Sequence, residues 1–416
     1  MDVNTVLFTI AVLGGIYMAC NIGANDVANS MGTSVGSKSL TFRQAIWVAA
    51  IAEFAGAFFV GGNVSDTIRK GMLDPTMFQD VPLHLVCGMI GALIASGVWL
   101  HLASSLGWPV STTHSIVGAV VGFGIIAGGM DAISWGKMGQ VVVSWVVSPV
   151  MGGLFSYMIF RFILWRVLTK RKPLVHAKVI LPYMVFFLFM VLTNAMVYKG
   201  LKNLRLNMQF GEALFISILI GAIAFMVAKF LANRIPDVTE GGLKQQFTAT
   251  ENIFKYLQII TAFYIAFAHG SNDVANAVGP LAAAVSILRE GTVQMEVEMP
   301  LWILGLGGSC IVFGLVIWGS KVMKTIGEKI TEITPSRGFS ATFGAATVVL
   351  ICSKMGLPIS TTHTLVGSVI GVGLARGLSS LDLSIVKTIV ISWFATVPFT
   401  MVLSMIIFKC LIFFLP

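Results

Sequence analysis

The sequence GANDVAN at residues 23–29 returns as GSNDVAN at residues 270–276. A second stretch, PVSTTH at residues 109–114, returns as PISTTH at residues 358–363, in the same order along the chain. Unrelated apolar segments often resemble one another by chance, because they share Leu, Val and Gly. Two ordered coincidences of Asn, Asp, Ser, Thr and His are not expected from composition alone. The chain is therefore predicted to contain an internal duplication.

The composition around these polar stretches is that of a membrane protein. Of the 416 residues, 56% are hydrophobic and 11% are charged, whereas soluble domains carry about 25% charged residues. Apolar segments close to the roughly 20 residues that span a bilayer recur from end to end. The prediction is an all-α polytopic protein whose main partner is the lipid bilayer. The formal net charge of +9 is attributed to loop topology, and no nucleic-acid partner is predicted.

The duplication divides the chain into a first repeat (1–138), inserted spans with a basic loop (139–232), a linker (233–251) and a second repeat (252–416). Residues 161–178 carry six basic and no acidic side chains, which places this loop in the cytoplasm by the positive-inside rule. The linker returns to the same side. Segments 116–126, 274–287 and 365–374 are too short to cross alone, and short segments in matching places of two halves indicate broken helices around a transport site.

Two acidic residues, Asp26 and Asp273, occupy matching positions inside apolar sequence. A carboxylate at this depth costs about 2.5–3.5 kcal/mol to insert, so it requires a partner, a cavity or a cation. Carboxylate and amide oxygens, beside backbone carbonyls freed where the glycines next to each motif, Gly23 and Gly270, interrupt the helix, form a site for a small hard cation, and sodium fits this set better than a transition metal. The alternative is that these polar groups only join helices by hydrogen bonds. The predicted sodium ligands are Asn25, Asp26, Asn29, Asn272, Asp273 and Asn276.

The Ser-Thr-Thr-His stretches follow Gly and Pro and precede apolar helices. Hydroxyls and free backbone N–H groups then meet at a helix N-terminus, which favours an anion. Ordinary helix capping by Ser or Thr is the alternative, but the duplication favours a ligand-binding role. The predicted oxyanion ligands are Ser111, Thr112, Thr113, Ser360, Thr361 and Thr362.

Three further residues, Glu53, His114 and His363, are possible coupling residues. Glu53 has no aligned acidic partner in the second copy, and the two histidines can instead brace their loops. His269 occurs in one copy only, beside Gly270, and is assigned no role. Nucleotide-binding motifs, zinc spacings and a nucleophile elbow are absent from the sequence, so no enzyme activity and no cofactor are predicted.

On these motifs, together with Gly32-Thr33 and Val35-Gly36-Ser37, the sequence resembles the inorganic phosphate transporter (PiT) family of sodium- or proton-coupled symporters. The resemblance implies about twelve spans, two inverted repeats and re-entrant helices. It also implies phosphate held near the membrane midplane by the two Ser-Thr-Thr segments, cations at the Asn-Asp segments, alternating access and a homodimer. The large soluble insertion of animal members is missing, so the chain resembles a compact microbial form in a bacterial or archaeal inner membrane.

The resulting prediction is a secondary active symporter that imports phosphate with sodium as a co-transported substrate. Three alternatives remain open at this point. They are a proton-coupled phosphate or metal-phosphate carrier, a sulfate permease and, from another class, a passive anion channel.

Overall fold

The computed structural model describes residues 2–60, 72–197, 208–236, 242–293, 299–354, 359–377 and 381–414. These residues fold into helices joined by short loops, with no β-sheet among them. In the described residues up to 236, the α-helices are α1 (Val3–Ile22), α2 (Ala28–Gly36), α3 (Phe42–Val60), α4 (Pro82–Leu106), α5 (Thr112–Gly128), α6 (Trp135–Ile163), α7 (Pro173–Ala195) and α8 (Phe210–Arg234). The remaining helices are α9 (Leu243–Glu290), α10 (Leu301–Trp318), α11 (Ser320–Lys324), α12 (Pro335–Lys354), α13 (Thr361–Arg376) and α14 (Leu383–Phe413).

Eight helical segments of the described chain are long and apolar enough to cross a membrane, and α5 is a shorter apolar helix of the same character. Many large apolar side chains on α6, α8 and α14 face outward, as lipid-facing helices require. The predicted all-α polytopic fold is confirmed. The total of about twelve spans and the opposed orientation of the repeats stay predictions.

The two Asn-Asp segments differ in backbone structure. Residues Gly23–Val27 form a π-helical turn between α1 and α2, whereas the second copy lies inside α9, a helix of 48 residues. The predicted break near Gly270 is therefore wrong. A β-carbon on Gly270 would lie 2.3 Å from the backbone oxygen of Glu53. This glycine therefore allows α3 to pack closely against α9, and it does not end a helix.

The two Ser-Thr-Thr segments do interrupt the helical path. The left-handed backbone of Gly107, with φ of 71°, ends α4, and extended backbone at Ser111 leads into α5. Ser360 precedes α13 in the same conformation, while Gly356 and Pro358 lie outside the described residues. The prediction of broken helices is confirmed at these two places.

Each short helix packs against a long helix of the other half: α5 against α14, and α13 against α6. Glycines allow backbone contact at both interfaces. A β-carbon on Gly122 would lie 2.3 Å from the Met401 oxygen, and one on Gly371 would lie 2.1 Å from the Gly153 oxygen. The two halves are thus interlocked around their Ser-Thr-Thr segments.

The helices α6 and α14 are counterparts in the two repeats. Each packs against the short helix of the other half, and Ser144-Trp145 of α6 and Ser392-Trp393 of α14 lie at matching points of the sequence. Both helices also contain an internal proline, Pro149 and Pro398. The correspondence favours an insertion that begins after α6. The division of the chain at residues 138, 232 and 251 stays a prediction.

Candidate functional site

Asp26 and Asp273 meet the four threonines of the Ser-Thr-Thr segments in the interior of the helix bundle. Both carboxylates are buried, at 1% and 0% exposure. Asp26 is carried by the π-helical turn and Asp273 by the middle of α9. The structure therefore brings together two pairs of elements that are far apart in the sequence.

Within each half, the first threonine donates its hydroxyl to the aspartate of the same half. Thr112 donates to Asp26 Oδ2 at 2.5 Å, and Thr361 donates to Asp273 Oδ2 at 2.5 Å. A charged acceptor strengthens such bonds. The equal distances show that the two copies build the same local contact.

Between the halves, the second threonine reaches the opposite aspartate. Thr362 donates to Asp26 Oδ1 at 2.7 Å. Thr113 lies 3.4 Å from Asp273 Oδ1, and its one hydroxyl proton is shared with the Ile359 carbonyl at 3.1 Å. Each carboxylate consequently accepts hydroxyls from both halves. The predicted cation residues and the predicted anion residues form one connected site.

The asparagines that precede the two aspartates hold the extended segments in place. Asn25 donates to the Trp108 carbonyl at 2.9 Å and accepts the Val110 N–H at 3.1 Å. Asn272 donates to the Ile359 carbonyl at 3.3 Å and to Asp273 Oδ1 at 3.0 Å.

The asparagines one turn further along face the threonines of the other half. Asn29 donates to Thr362 Oγ1 at 2.9 Å, and Asn276 donates to Thr112 Oγ1 at 3.0 Å. The side-chain oxygen of Asn29 is buried without a hydrogen-bond partner in the described structure. An unpaired buried acceptor costs free energy unless a ligand or water satisfies it, so this oxygen is available to a cation.

The serines of the two triplets cap their helices. The Ser111 oxygen accepts the His114 N–H at 3.1 Å, and the Ser360 oxygen accepts the His363 N–H at 3.1 Å. Capping uses the serine oxygen as an acceptor and leaves each O–H free to donate. The capping alternative is thus compatible with anion binding by the same serines.

His114 and His363 lie behind the triplets in a column of four rings. Their ring centroids are 4.2 Å apart, and each histidine also contacts a tryptophan of its own half: His114 with Trp145 at 3.8 Å and His363 with Trp393 at 3.6 Å. Both histidines are buried at 3% exposure. This packing fits the prediction that they brace the loops.

The sequence assigned no role to His269, yet the structure places it in the centre of the site. Its Nε2 lies 2.9 Å from Asp273 Oδ2 and 3.7 Å from Asp26 Oδ2, and its Nδ1 lies 2.8 Å from Glu53 Oε2. His269 stands four residues before Asp273 on α9, a spacing that shares one helix face. That spacing was a signal in the sequence, but the absence of a matching histidine in the first copy concealed its importance.

Interrupted helices that meet around buried carboxylates and hydroxyls, in a bundle with lipid-facing helices, define the chain as a polytopic membrane transporter. Residues 22–404 match the phosphate transporter family. The chain belongs to this family, and its multi-pass membrane location follows. Because members of the family are transporters, the prediction that the chain is not an enzyme is confirmed.

Relatives of the chain cover almost its full length. A protein of Pyrococcus furiosus that carries the name phosphate permease is 46% identical over 405 residues, which are 97% of this chain and 96% of that protein. The chloroplastic inorganic phosphate transporter 2-1 of Arabidopsis thaliana is 43% identical over 95% of this chain and 70% of its own length. A solved structure described as the sodium-dependent phosphate transporter superposes with a TM-score of 0.91 at 42% identity, over 99% of this chain and 100% of that one.

Proposed function

We propose that the protein is a symporter that carries inorganic phosphate together with sodium. The main support is the reciprocal contact of two buried aspartates with threonine hydroxyls from both halves. Membership of the phosphate transporter family supports phosphate as the cargo. The similarity to a solved sodium-dependent phosphate transporter supports sodium as the coupling ion.

The sodium ligands in this proposal are the carboxylates of Asp26 and Asp273 and the amide oxygens beside them. The free oxygen of Asn29 provides an acceptor next to Asp26. Hard cations of this kind prefer carboxylate, amide and hydroxyl oxygens. Sodium also neutralises part of the buried negative charge, whose cost in the membrane is high. Sodium enters as a transported substrate.

The phosphate ligands in this proposal are the Ser-Thr-Thr hydroxyls at the start of α5 and α13. Both helix N-termini contribute partial positive charge and backbone donors. No lysine or arginine is buried in the part of the chain that the structure describes. Neutral donors therefore bind the anion, and the cation that travels with it balances its charge.

The hydroxyl protons of the site threonines link sodium binding to phosphate binding. In the structure the hydroxyls of Thr112, Thr361 and Thr362 donate to Asp26 and Asp273, so their protons are directed at the carboxylates. A sodium ion at an aspartate competes for the carboxylate lone pairs and releases the hydroxyl protons toward phosphate. Phosphate affinity therefore depends on sodium, and the loaded state is favoured only when both ions are present.

Radiolabelled phosphate uptake into vesicles that contain the purified protein tests this function. An inward sodium gradient should accumulate phosphate above its external concentration, and a proton gradient alone should not. Accumulation with protons alone would instead identify the proton-coupled carrier, and a requirement for a divalent metal would identify the metal-phosphate carrier. Strong competition by sulfate would identify the sulfate permease, and simple equilibration would identify a passive channel.

A further inference from the structure

His269 gives the cation site a nitrogen atom that the repeated motifs do not contain. The ligand atoms of Asp26, His269 and Asp273 all lie within 4.8 Å of one another, and all three residues are buried. Although His269 Nε2 lies 2.9 Å from Asp273 Oδ2, it has no hydrogen-bond partner of acceptable geometry in the described structure. A buried nitrogen in this position is available as a ligand.

Glu53 orients this histidine from the opposite side. Both of its carboxylate oxygens lie close to His269 Nδ1, at 2.9 and 2.8 Å. With a proton on Nδ1 shared with Glu53, the Nε2 lone pair would face a metal ion held between the two aspartates. Metal-binding histidines in proteins nearly always have a carboxylate, carbonyl or water on their second nitrogen, which fixes the ring and makes the first nitrogen a better ligand.

The other half of the molecule has apolar side chains where His269 and Glu53 stand. A β-carbon on Gly270 would meet the Glu53 oxygen at 2.3 Å, and one on Gly23 would meet the Ile311 oxygen at 1.8 Å. These two glycines are repeat counterparts, so Glu53 corresponds to Ile311, and His269 corresponds to Ile22. Both isoleucines are fully buried. At these two positions the isoleucines Ile22 and Ile311 lie in the apolar core, whereas their counterparts are a histidine, His269, and a carboxylate, Glu53.

We propose that Asp26, His269 and Asp273 form a binding site for a divalent first-row transition-metal ion such as Mn²⁺ or Zn²⁺, with Glu53 as the positioning residue for His269. One imidazole nitrogen and several carboxylate oxygens are a ligand set suited to these ions, whereas Mg²⁺ and Ca²⁺ prefer oxygen alone. The inference rests on the proposed function in that the two aspartates also bind sodium. A bound divalent ion then competes with sodium and prevents sodium-driven phosphate uptake.

The test measures Mn²⁺ binding to the full-length purified protein by electron paramagnetic resonance, in sodium-free and phosphate-free buffer. Wild type should bind about one Mn²⁺ per chain, with a pulsed-resonance signal from a directly bound nitrogen, and sodium should displace the ion. Glu53→Gln should weaken Mn²⁺ affinity by about 10–100-fold, and His269→Asn should abolish the nitrogen signal. The matched control is His101→Ala, which removes an exposed histidine and should change neither quantity.

The wild-type measurement decides the proposal even if a variant does not fold. Mn²⁺ that binds without a nitrogen signal, or that sodium does not displace, would overturn it. Uptake measured on the same preparation separates this proposal from the proposed function. Sodium-driven phosphate uptake without Mn²⁺ binding rejects the metal site alone, whereas Mn²⁺ binding without sodium-driven uptake rejects the symport function alone.

Discussion

Thr362 in the second half donates its hydroxyl to Asp26 in the first half, with 2.7 Å between Oγ1 and Oδ1. The counterpart contact joins Thr113 to Asp273 at 3.4 Å. A movement that separates the two halves at this place lengthens these two contacts, while the bonds from Thr112 and Thr361 stay within their halves. We therefore expect the occupancy of the site and the arrangement of the halves to be coupled through the same side chains.

Neutralising either aspartate should abolish sodium-driven transport. Asp26→Asn and Asp273→Asn preserve side-chain size but remove the negative charge that attracts the cation. Phosphate uptake by each variant under an inward sodium gradient is expected to fall to the level of protein-free vesicles. Exposed Asp74 provides the control, because hydrogen bonds from Thr76 lower the pKa of its carboxyl and keep it charged outside the membrane.

Asp74→Asn should retain wild-type uptake, since this exposed carboxylate bonds to Thr76 and to none of the site residues. Full sodium-driven uptake by both site variants would remove the aspartates from the cation site. Equal loss in the control would indicate a general effect of the substitutions on folding or insertion.

Removing a hydroxyl from the site should weaken phosphate binding more than it changes the maximal rate. Thr362→Val is isosteric and removes one donor, and a hydrogen bond to a charged group contributes about 1.5–3 kcal/mol. The phosphate concentration for half-maximal uptake should rise about tenfold or more. Thr388→Val is the control, because that exposed hydroxyl bonds only to the Ser384 carbonyl of its own helix. An unchanged value for Thr362→Val would exclude this hydroxyl from the anion site.

Sequence alone was sufficient for the parts of the molecule that depend on composition and repetition. Low charge and long apolar segments predicted the polytopic helical fold, and the repeated motifs selected the residues that the structure brings together around Asp26 and Asp273. Their clustering could be expected, because buried polar groups in a membrane need partners.

Two features that the sequence did not predict, the continuous helix through Gly270 and the central position of His269, depend on tertiary contacts. The continuous helix through Gly270 depends on the backbone of α3 approaching at Glu53, and glycine alone does not indicate whether a helix ends or another helix comes close. The repeat pattern does not indicate His269, because it marks only residues that occur in both copies. A residue that breaks the repeat can still be functional, and only packing against Glu53 and the two aspartates reveals it.

The contact between α1 and α10 depends on the absence of a side chain at Gly314. A β-carbon there would lie 1.7 Å from the Cys20 backbone oxygen, which cannot move without shifting α1. Gly314→Ala should lower the melting temperature of the purified protein, since overpacking costs about 1–3 kcal/mol. Gly305→Ala on the same helix is the matched control, because nothing lies within 4 Å of the added carbon. Equal melting temperatures of the two variants would contradict this account of the contact.

Sodium should bind before phosphate, because the threonine protons are held by the aspartates until a cation takes their place. Titration of the purified protein with phosphate should therefore give weak binding in choline chloride and much tighter binding in sodium chloride at the same ionic strength. Asp26→Asn should reduce this difference, since its uncharged side chain no longer requires sodium to release the hydroxyls of Thr112 and Thr362. Equal phosphate affinity of the wild-type protein in the two salts would show that the hydroxyls reach phosphate without the cation. Sodium-driven uptake would then have to arise from a later step of the transport cycle.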